Sequence, residues 1–156
     1  MIDEKARIWG ALLLRRLASG RITNDEFDEA YPEGSPDRGV RSVWEFGYSL
    51  YSDYYTYRLL GRHALGAEAR RIVARCVLFL HSGLEYTWPE PPAVQLWPAL
   101  RQVLTLGLWR SGYAQALSAW QQSVDTAVWP FASHAELRRA ATHPPFFATK
   151  SVVAAG

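Results

Sequence analysis

The stretch SGRITNDEFDEAYP, residues 19–32, constrains the fold most strongly because it carries the signals that end one helix and begin another. Gly20 suits the left-handed conformation in which many helices terminate. Thr23 and Glu26 have the spacing of a capping box, in which the two residues satisfy each other's backbone amides. Pro32 then ends the second helix. Helical spacing also marks the apolar residues before this stretch: Ile8, Leu12, Leu13 and Leu17.

Residues 3–31 are therefore predicted to form an N-terminal αα-hairpin. Within it, the pattern Gly-Arg-Ile-Thr-x-x-Glu-Phe at residues 20–27 resembles the turn of SHOCT-type domains, which are short bacterial helical hairpins. The resemblance covers about 25 residues at most. It implies a helical hairpin, and such hairpins are often linked to oligomerisation.

Two further helices are indicated in the first half of the chain. Residues 41–60 carry aromatic side chains in two stripes at helical spacing, and Gly61 follows them. This pattern predicts one long helix that is apolar on nearly every side and therefore central in a bundle. A second helix, ending at Gly83, has a continuous core stripe: Ala69, Ile72, Val73, Cys76, Val77 and Leu80.

The second half of the chain is predicted to be mostly helical with one minor β element. Residues 84–89 alternate apolar and polar side chains, and residues 126–131 are also strand-like, so the two segments are expected to pair as a short ribbon. Residues 90–123 are mostly helical in pattern, and Ser133 is placed to cap a last helix.

The predicted fold is therefore mainly α. We expect a compact single domain over residues 1–145, built as a helical bundle of about six helices with at most one two-stranded ribbon. Residues 146–156 are expected to form a flexible tail. The 156-residue length suits one domain with its own core.

Charge is distributed unevenly along the chain. The net charge is only +2, but residues 1–57 hold ten acids and seven bases, whereas residues 58–156 hold five acids and ten bases. The basic excess is greatest between residues 58 and 75, which indicates a surface for phosphate or for an acidic partner. The single cysteine and the short first apolar run, residues 11–14, favour a cytoplasmic protein without a membrane span.

Motifs for catalysis or metal binding are weak. The sequence has no phosphate-binding glycine loop, no nucleophile elbow and no metal-spaced Cys/His set, so no cofactor and no metal are expected. The best constellation is Arg75, His81, Ser82, Glu85 and Tyr86. In it, His81 and Glu85 could form an acid/base pair beside Ser82. Gly83 lies between His81 and Glu85, and it leaves their relative geometry undefined. Cys76 falls within a core stripe and is expected to be an inert buried thiol.

The leading functional hypothesis is a non-enzymatic, intracellular protein-binding module. In size, compactness and lack of catalytic motifs the chain resembles the immunity proteins that neutralise bacterial polymorphic toxins, and this resemblance implies a protein partner. The partner, with an acidic face, or a second copy of the chain would contact an aromatic and basic surface, since Tyr, Trp and Arg dominate interface energies. That surface is expected to comprise Tyr51, Tyr54, Tyr55, Arg58, Arg62, Arg71 and Arg75.

Two alternatives stay open at this point. One is a small enzyme or small-molecule-binding protein with its site around Arg75, His81 and Glu85. The other is a nucleic-acid binder that uses the arginine-rich segment 58–75, although the second helix of the hairpin is too acidic to lie against phosphates.

Overall fold

The fold was obtained as a computed structural model, which describes residues 1–89, 118–120 and 122–142. It is mainly helical, as predicted. The α-helices are α1 (Glu4–Ala18), α2 (Asn24–Ala30), α3 (Arg38–Tyr48), α4 (Ala67–His81) and α5 (His134–Thr142). Two 3-10 turns span Gly61–His63 and Thr126–Val128, and residues 118–120 and 122–123 are also helical.

Contacts within the chain gather into two compact units. The first contains Met1–Tyr86 together with the described residues from Val128 onward, and the second contains the described residues between Thr87 and Ala127. All five helices belong to the first unit, where α1 packs against α2, α3 and α4, and α4 also packs against α3 and α5. The predicted single domain over residues 1–145 stays a prediction.

Local capping explains the N-terminal hairpin. Asp3 caps α1 by accepting a hydrogen bond from the amide of Ala6, and Gly20 follows the helix with a φ of 65°. The predicted capping box is confirmed: the Thr23 hydroxyl accepts from the Glu26 amide, and the Glu26 carboxylate accepts from the Thr23 amide. These bonds satisfy amides that the first turn of α2 cannot satisfy within the helix.

The core lies where α1 meets α2, α3 and α4. Its fully buried members include Leu14, Leu17, Phe27, Val43 and Phe79. The predicted apolar face of α1 is wrong at Ile8, which is 59% exposed, whereas its neighbour Arg7 is buried. The reason is an ion pair: the Arg7 guanidinium turns inward to meet the carboxylate of Asp37.

The predicted aromatic helix over 41–60 is wrong in its second half, because α3 starts at Arg38 and ends at Tyr48. Ser49 terminates it, with its hydroxyl donating to the Phe46 carbonyl. Residues 49–57 are rich in Ser, Tyr, Thr and Asp, which have low helix propensity because of stiff side chains or competing side-chain hydrogen bonds. The backbone beyond Tyr48 bonds instead to residues of α2.

No strand is present in the described part of the chain, so the two-stranded ribbon is not formed there. Residues 84–89 have no regular structure, and Thr126–Val128 form a 3-10 turn instead of a strand. The cap predicted for the last helix is confirmed, since the Ser133 hydroxyl accepts from the Glu136 amide at 3.3 Å.

Two predictions fall outside the described residues. They are the tail over 146–156 and most of the helical segment 90–123, of which only residues 118–120 and 122–123 are described. Among the helices that the structure does describe, none combines the length and the apolar character needed to cross a membrane.

Candidate partner-binding surface

Within the part of the chain that the structure describes, the two most exposed aromatic side chains lie on the segment that follows α3. We call residues 49–60 the tyrosine loop. Tyr54 is 92% exposed, and Tyr55 and Leu60 are each about half exposed, at 52% and 54%. Large apolar side chains placed together on the surface are a common mark of a binding site.

Asn24, at the start of α2, holds the tyrosine loop in place. Asn24 is buried, with 1% of the residue exposed. Its Nδ2 donates to the carbonyls of Tyr55 at 3.1 Å and Ser52 at 3.3 Å. Its Oδ1 accepts from the Tyr57 amide at 2.8 Å, and its own backbone amide donates to the Tyr57 carbonyl at 3.1 Å. One buried amide side chain therefore replaces the helical hydrogen bonds that the loop does not make.

Further contacts tighten the loop from within. The Ser52 amide donates to the Tyr57 hydroxyl at 2.9 Å, and the Thr56 hydroxyl bonds to the carboxylate of Asp25. At the far end, Arg58 forms an isolated antiparallel bridge with Thr23. The loop is thus compact and packed by its own side chains, as in the short surface loops that often carry function.

A second aromatic group lies where the loop meets the Gly61–His63 turn. The rings of Tyr55 and Tyr57 are 4.9 Å apart, and the His63 ring lies 4.6 Å from that of Tyr57. Arg62 donates from Nε to His63 Nε2 at 3.0 Å. These contacts place an exposed guanidinium beside an exposed tyrosine ring, a pairing common in protein interfaces.

The tyrosines nearest α3 are held by acidic partners. The Tyr48 hydroxyl donates to Asp53 at 2.8 Å, and the Tyr51 hydroxyl donates to Asp28 at 3.5 Å. The bond to Asp53 raises the pKa of Tyr48, and burial together with the negative charge of Asp28 raises the pKa of Tyr51. Both hydroxyls therefore stay protonated, and they act as hydrogen-bond donors and not as bases.

The tyrosine loop gathers only part of the surface predicted from the sequence. Tyr51, Tyr54, Tyr55 and Arg58 lie on the loop, and Arg62 follows directly after it. Arg58 donates to the Arg21 carbonyl at 2.8 Å, so its guanidinium is partly committed to the base of the loop.

The two remaining predicted arginines lie on α4. Arg71 pairs with Glu68 at 3.3 Å, with both side chains about 70% exposed, at 73% and 69%. Arg75 donates to the Trp129 carbonyl at 3.0 Å and thereby joins α4 to the segment before α5. The partners of these two arginines, Glu68 and Trp129, therefore lie outside the tyrosine loop.

Of the predicted acid/base group of Arg75, His81 and Glu85, the glutamate lines a cleft in the described part of the chain. Glu85 lines a cleft of about 200 Å³ whose other walls include Arg7, Asp37, Arg38 and Tyr86. His81, the last residue of α4, is not among the lining residues. Burial and then the positive charge of Arg15 lower the pKa of His81.

At the base of this cleft lies an ion pair that the sequence analysis missed. Arg7 Nε donates to Asp37 at 2.6 Å, its Nη2 donates to the other carboxylate oxygen at 3.2 Å, and its Nη1 donates to the Leu84 carbonyl at 2.7 Å. The amides of Asp3 and Gly39 also donate to Asp37. With this many partners, the pair joins the starts of α1 and α3 to the segment after α4.

The pKa of Asp37 reflects these bonds. Burial acts to raise it, but the hydrogen bond from Arg7, the amide bonds and the guanidinium charge outweigh burial, so the pKa lies below its ordinary value. Because Asp37 caps α3 at Gly39, the Asp-Arg-Gly sequence at 37–39 was the signal that could have located the acid. Nothing in the sequence places Arg7 beside it.

Other chemistry is sparse in the described residues. Cys76 is fully buried, and burial raises the pKa of its thiol. No three His, Cys, Asp or Glu side chains within residues 1–89, 118–120 and 122–142 converge as metal ligands would. Comparison with protein-family models, with curated proteins and with solved structures finds no significant match to this chain.

Proposed function

We propose that this protein is a non-catalytic protein-binding module and that it contacts its partner through the tyrosine loop. The observation that carries the proposal is the combination of strong exposure at Tyr54 with a backbone that Asn24 holds by several hydrogen bonds. Asn24 fixes the backbone of the loop, so the exposed Tyr54 ring is presented to a partner from an ordered segment.

Pre-organisation is the physical reason why such a loop binds well. A flexible loop loses conformational entropy when a partner orders it, and this cost is subtracted from the binding free energy. Here Asn24 has already ordered the backbone in the free protein. Tyrosine adds a large, amphipathic contact area with few rotatable bonds, which is why it is abundant in antibody combining sites.

The charges beside the loop favour a partner with an acidic patch. Arg62 is exposed next to the Tyr55, Tyr57 and His63 rings, and its Nε donates to His63 Nε2. A carboxylate of the partner would therefore find a guanidinium that no acid of this chain neutralises within the described residues. A toxin enzyme neutralised by an immunity protein would be one such partner.

A pull-down with matched variants tests the proposal. Tagged wild type, Tyr54→Ser/Tyr55→Ser and Arg71→Ala are incubated with lysate of the source cells and washed at low and high salt. Bound species are identified by mass spectrometry and by nucleic-acid staining. Arg71→Ala is the control because it also removes an exposed side chain, but one on α4.

We expect one stoichiometric protein that survives the high-salt wash with wild type and Arg71→Ala, and that is lost with the double tyrosine variant. Circular dichroism should show that all three proteins are folded. Retention of the same protein by the double variant would contradict the proposal. Recovery of nucleic acid alone, released by salt, would favour the nucleic-acid alternative instead.

A further inference from the structure

A groove of about 570 Å³ lies between α1 and α4, and none of its lining residues belongs to the tyrosine loop. Its lining is largely apolar, with Ala18 on α1 and Val73, Ala74 and Val77 on α4. Its volume is within the range of protein ligand sites, and the groove is open to solvent, which suits an occupant laid along it more than an enclosed small molecule.

Apolar surface continues beyond the groove along α1. Ile8 and Leu12 are one helical turn apart, and Arg15 follows at the next i+3 position, so the three residues share a face. Ile8 is 59% exposed although it is one of the more apolar residues of the helix. From Ile8 to Ser19 this face extends for about 16 Å, which corresponds to about three turns of a partner helix.

Two arginines border the groove, one from each helix. Arg15 lies on α1 and Arg70 on α4, and both are exposed. Within the described residues neither guanidinium makes a hydrogen bond or an ion pair, and no acidic side chain lines the groove. Neighbouring Arg71, in contrast, is paired with Glu68.

From this juxtaposition we propose that the α1–α4 groove binds an acidic amphipathic helix of a protein partner. The apolar face of that helix would lie on Ala18, Val73 and Val77, and its flanking carboxylates would pair with Arg15 and Arg70. The arrangement is the helix-in-groove mode of peptide recognition, in which apolar anchors recur at i, i+3, i+4 and i+7. The proposal concerns a second surface and does not depend on the role of the tyrosine loop.

Charge complementarity selects this occupant over others. A neutral helix would leave two guanidinium groups beside an interface without acceptors, and a basic helix would be repelled. The chain's own acidic helix, α2, has only seven residues and is already capped and packed in the hairpin, so a second copy of the chain offers no long acidic helix among its described residues.

The test uses designed peptides and the full-length protein. A fluorescein-labelled, amidated 15-residue helical peptide carries Leu and Ala at the anchor positions and Glu on both flanks, and matched peptides carry Gln or Lys in place of Glu. Binding is followed by fluorescence anisotropy at low and high salt. The protein variants are Arg15→Glu/Arg70→Glu and the control Arg16→Glu/Arg71→Glu, which changes the adjacent arginines outside the groove.

We expect wild type to bind the Glu peptide about tenfold more tightly than the Gln peptide, with little binding of the Lys peptide. In Arg15→Glu/Arg70→Glu the order should reverse, so that the Lys peptide binds best, and the control variant should behave as wild type. High salt should reduce the difference between the peptides. Thermal unfolding monitored by circular dichroism establishes that each variant is folded.

Several results would overturn the proposal. They are the absence of binding by all peptides, equal binding of the Glu and Lys peptides, or the same loss of binding in the control variant. Dimerisation of wild type that Arg15→Glu/Arg70→Glu abolishes, without peptide binding, would assign the groove to a second copy. Binding to vesicles that contain phosphatidylserine, again without peptide binding, would assign it to an anionic lipid surface.

Discussion

Replacing Asn24 with alanine should release the tyrosine loop and destabilise the protein. The substitution removes three side-chain hydrogen bonds, two donated to the carbonyls of Ser52 and Tyr55 and one accepted from the Tyr57 amide. A typical hydrogen bond contributes a net stabilisation of about 0.5–1.5 kcal/mol, so three of them amount to about 1.5–4.5 kcal/mol. Water can reach the exposed loop and form some of the hydrogen bonds that Asn24 made. We therefore expect the free energy of unfolding to fall by about 2–3 kcal/mol.

Thermal and urea unfolding measure this loss. For a chain of this size about 1 kcal/mol corresponds to a shift of roughly 3 °C in Tm, so Asn24→Ala should lower Tm by about 6–9 °C. Hydrogen–deuterium exchange gives the local result: the Tyr57 amide should exchange much faster, whereas amides in the middle of α4 should change only in proportion to the global loss.

Two matched variants separate the contributions. Asn24→Asp keeps an acceptor for the Tyr57 amide but points carboxylate oxygens at two carbonyls, so it should be at least as destabilising as Asn24→Ala. Asp25→Ala, at the neighbouring exposed position, loses only the bond from Thr56 and should cost less than about 1 kcal/mol. The reasoning fails if Asn24→Ala unfolds within about 0.5 kcal/mol of wild type and the loop amides keep their protection.

Three further predictions concern the rest of the fold. Asp37→Asn should cost about 3–5 kcal/mol at pH 7 because it leaves a buried guanidinium unpaired. Since the pKa of Asp37 is lowered by folding, the carboxylate stabilises the protein above about pH 4, and urea unfolding should show the difference from wild type shrinking as pH falls below that value. Gly47→Ala should cost about 1–3 kcal/mol, since its Cβ would lie 2.6 Å from the Phe27 ring, whereas Gly34→Ala, with nothing within 4 Å, should leave Tm nearly unchanged. Cys76 should resist thiol reagents in the native protein and react only on unfolding, because burial keeps its thiol protonated; rapid labelling by a disulfide reagent under native conditions would contradict its burial.

Local chemistry is what the sequence reveals best. The hairpin turn, with its capping box at Thr23 and Glu26, depends on residues within about one helical turn of each other, and both the turn and the cap are present. The buried face of α4 was also predicted from the sequence, and Val73, Cys76 and Leu80 are buried. This prediction needs only the 3.6-residue period of the helix itself and no knowledge of distant residues.

Long-range partners are what the sequence conceals. Arg7 is buried because Asp37 lies 30 residues further along the chain, and a lone arginine beside Ile8 gives no sign of that. The end of α3 at Tyr48 depends on Asn24, whose side chain offers hydrogen bonds to the backbone around Tyr55 and Tyr57. Aromatic periodicity pointed to a longer helix because it records side-chain spacing and not the competing hydrogen bonds.

The candidate surface shows the same division. Composition alone pointed to Tyr54, Tyr55 and Arg62, which the structure places on or beside one ordered loop. It also pointed to Arg71 and Arg75, because five arginines between residues 58 and 75 form a run in sequence. Adjacent positions in sequence need not share a surface, and on α4 the two arginines make their bonds to Glu68 and Trp129.

Site-specific photo-crosslinking tests the central claim, that the tyrosine loop is a protein-binding surface, most directly. Benzoylphenylalanine is introduced at position 54 or, as the control, at position 71, and the full-length protein is irradiated in the source cells. We predict one discrete crosslinked protein band from Tyr54, where the side chain is 92% exposed, and none from Arg71. Equal crosslinking from both positions, or none from Tyr54, would contradict the account.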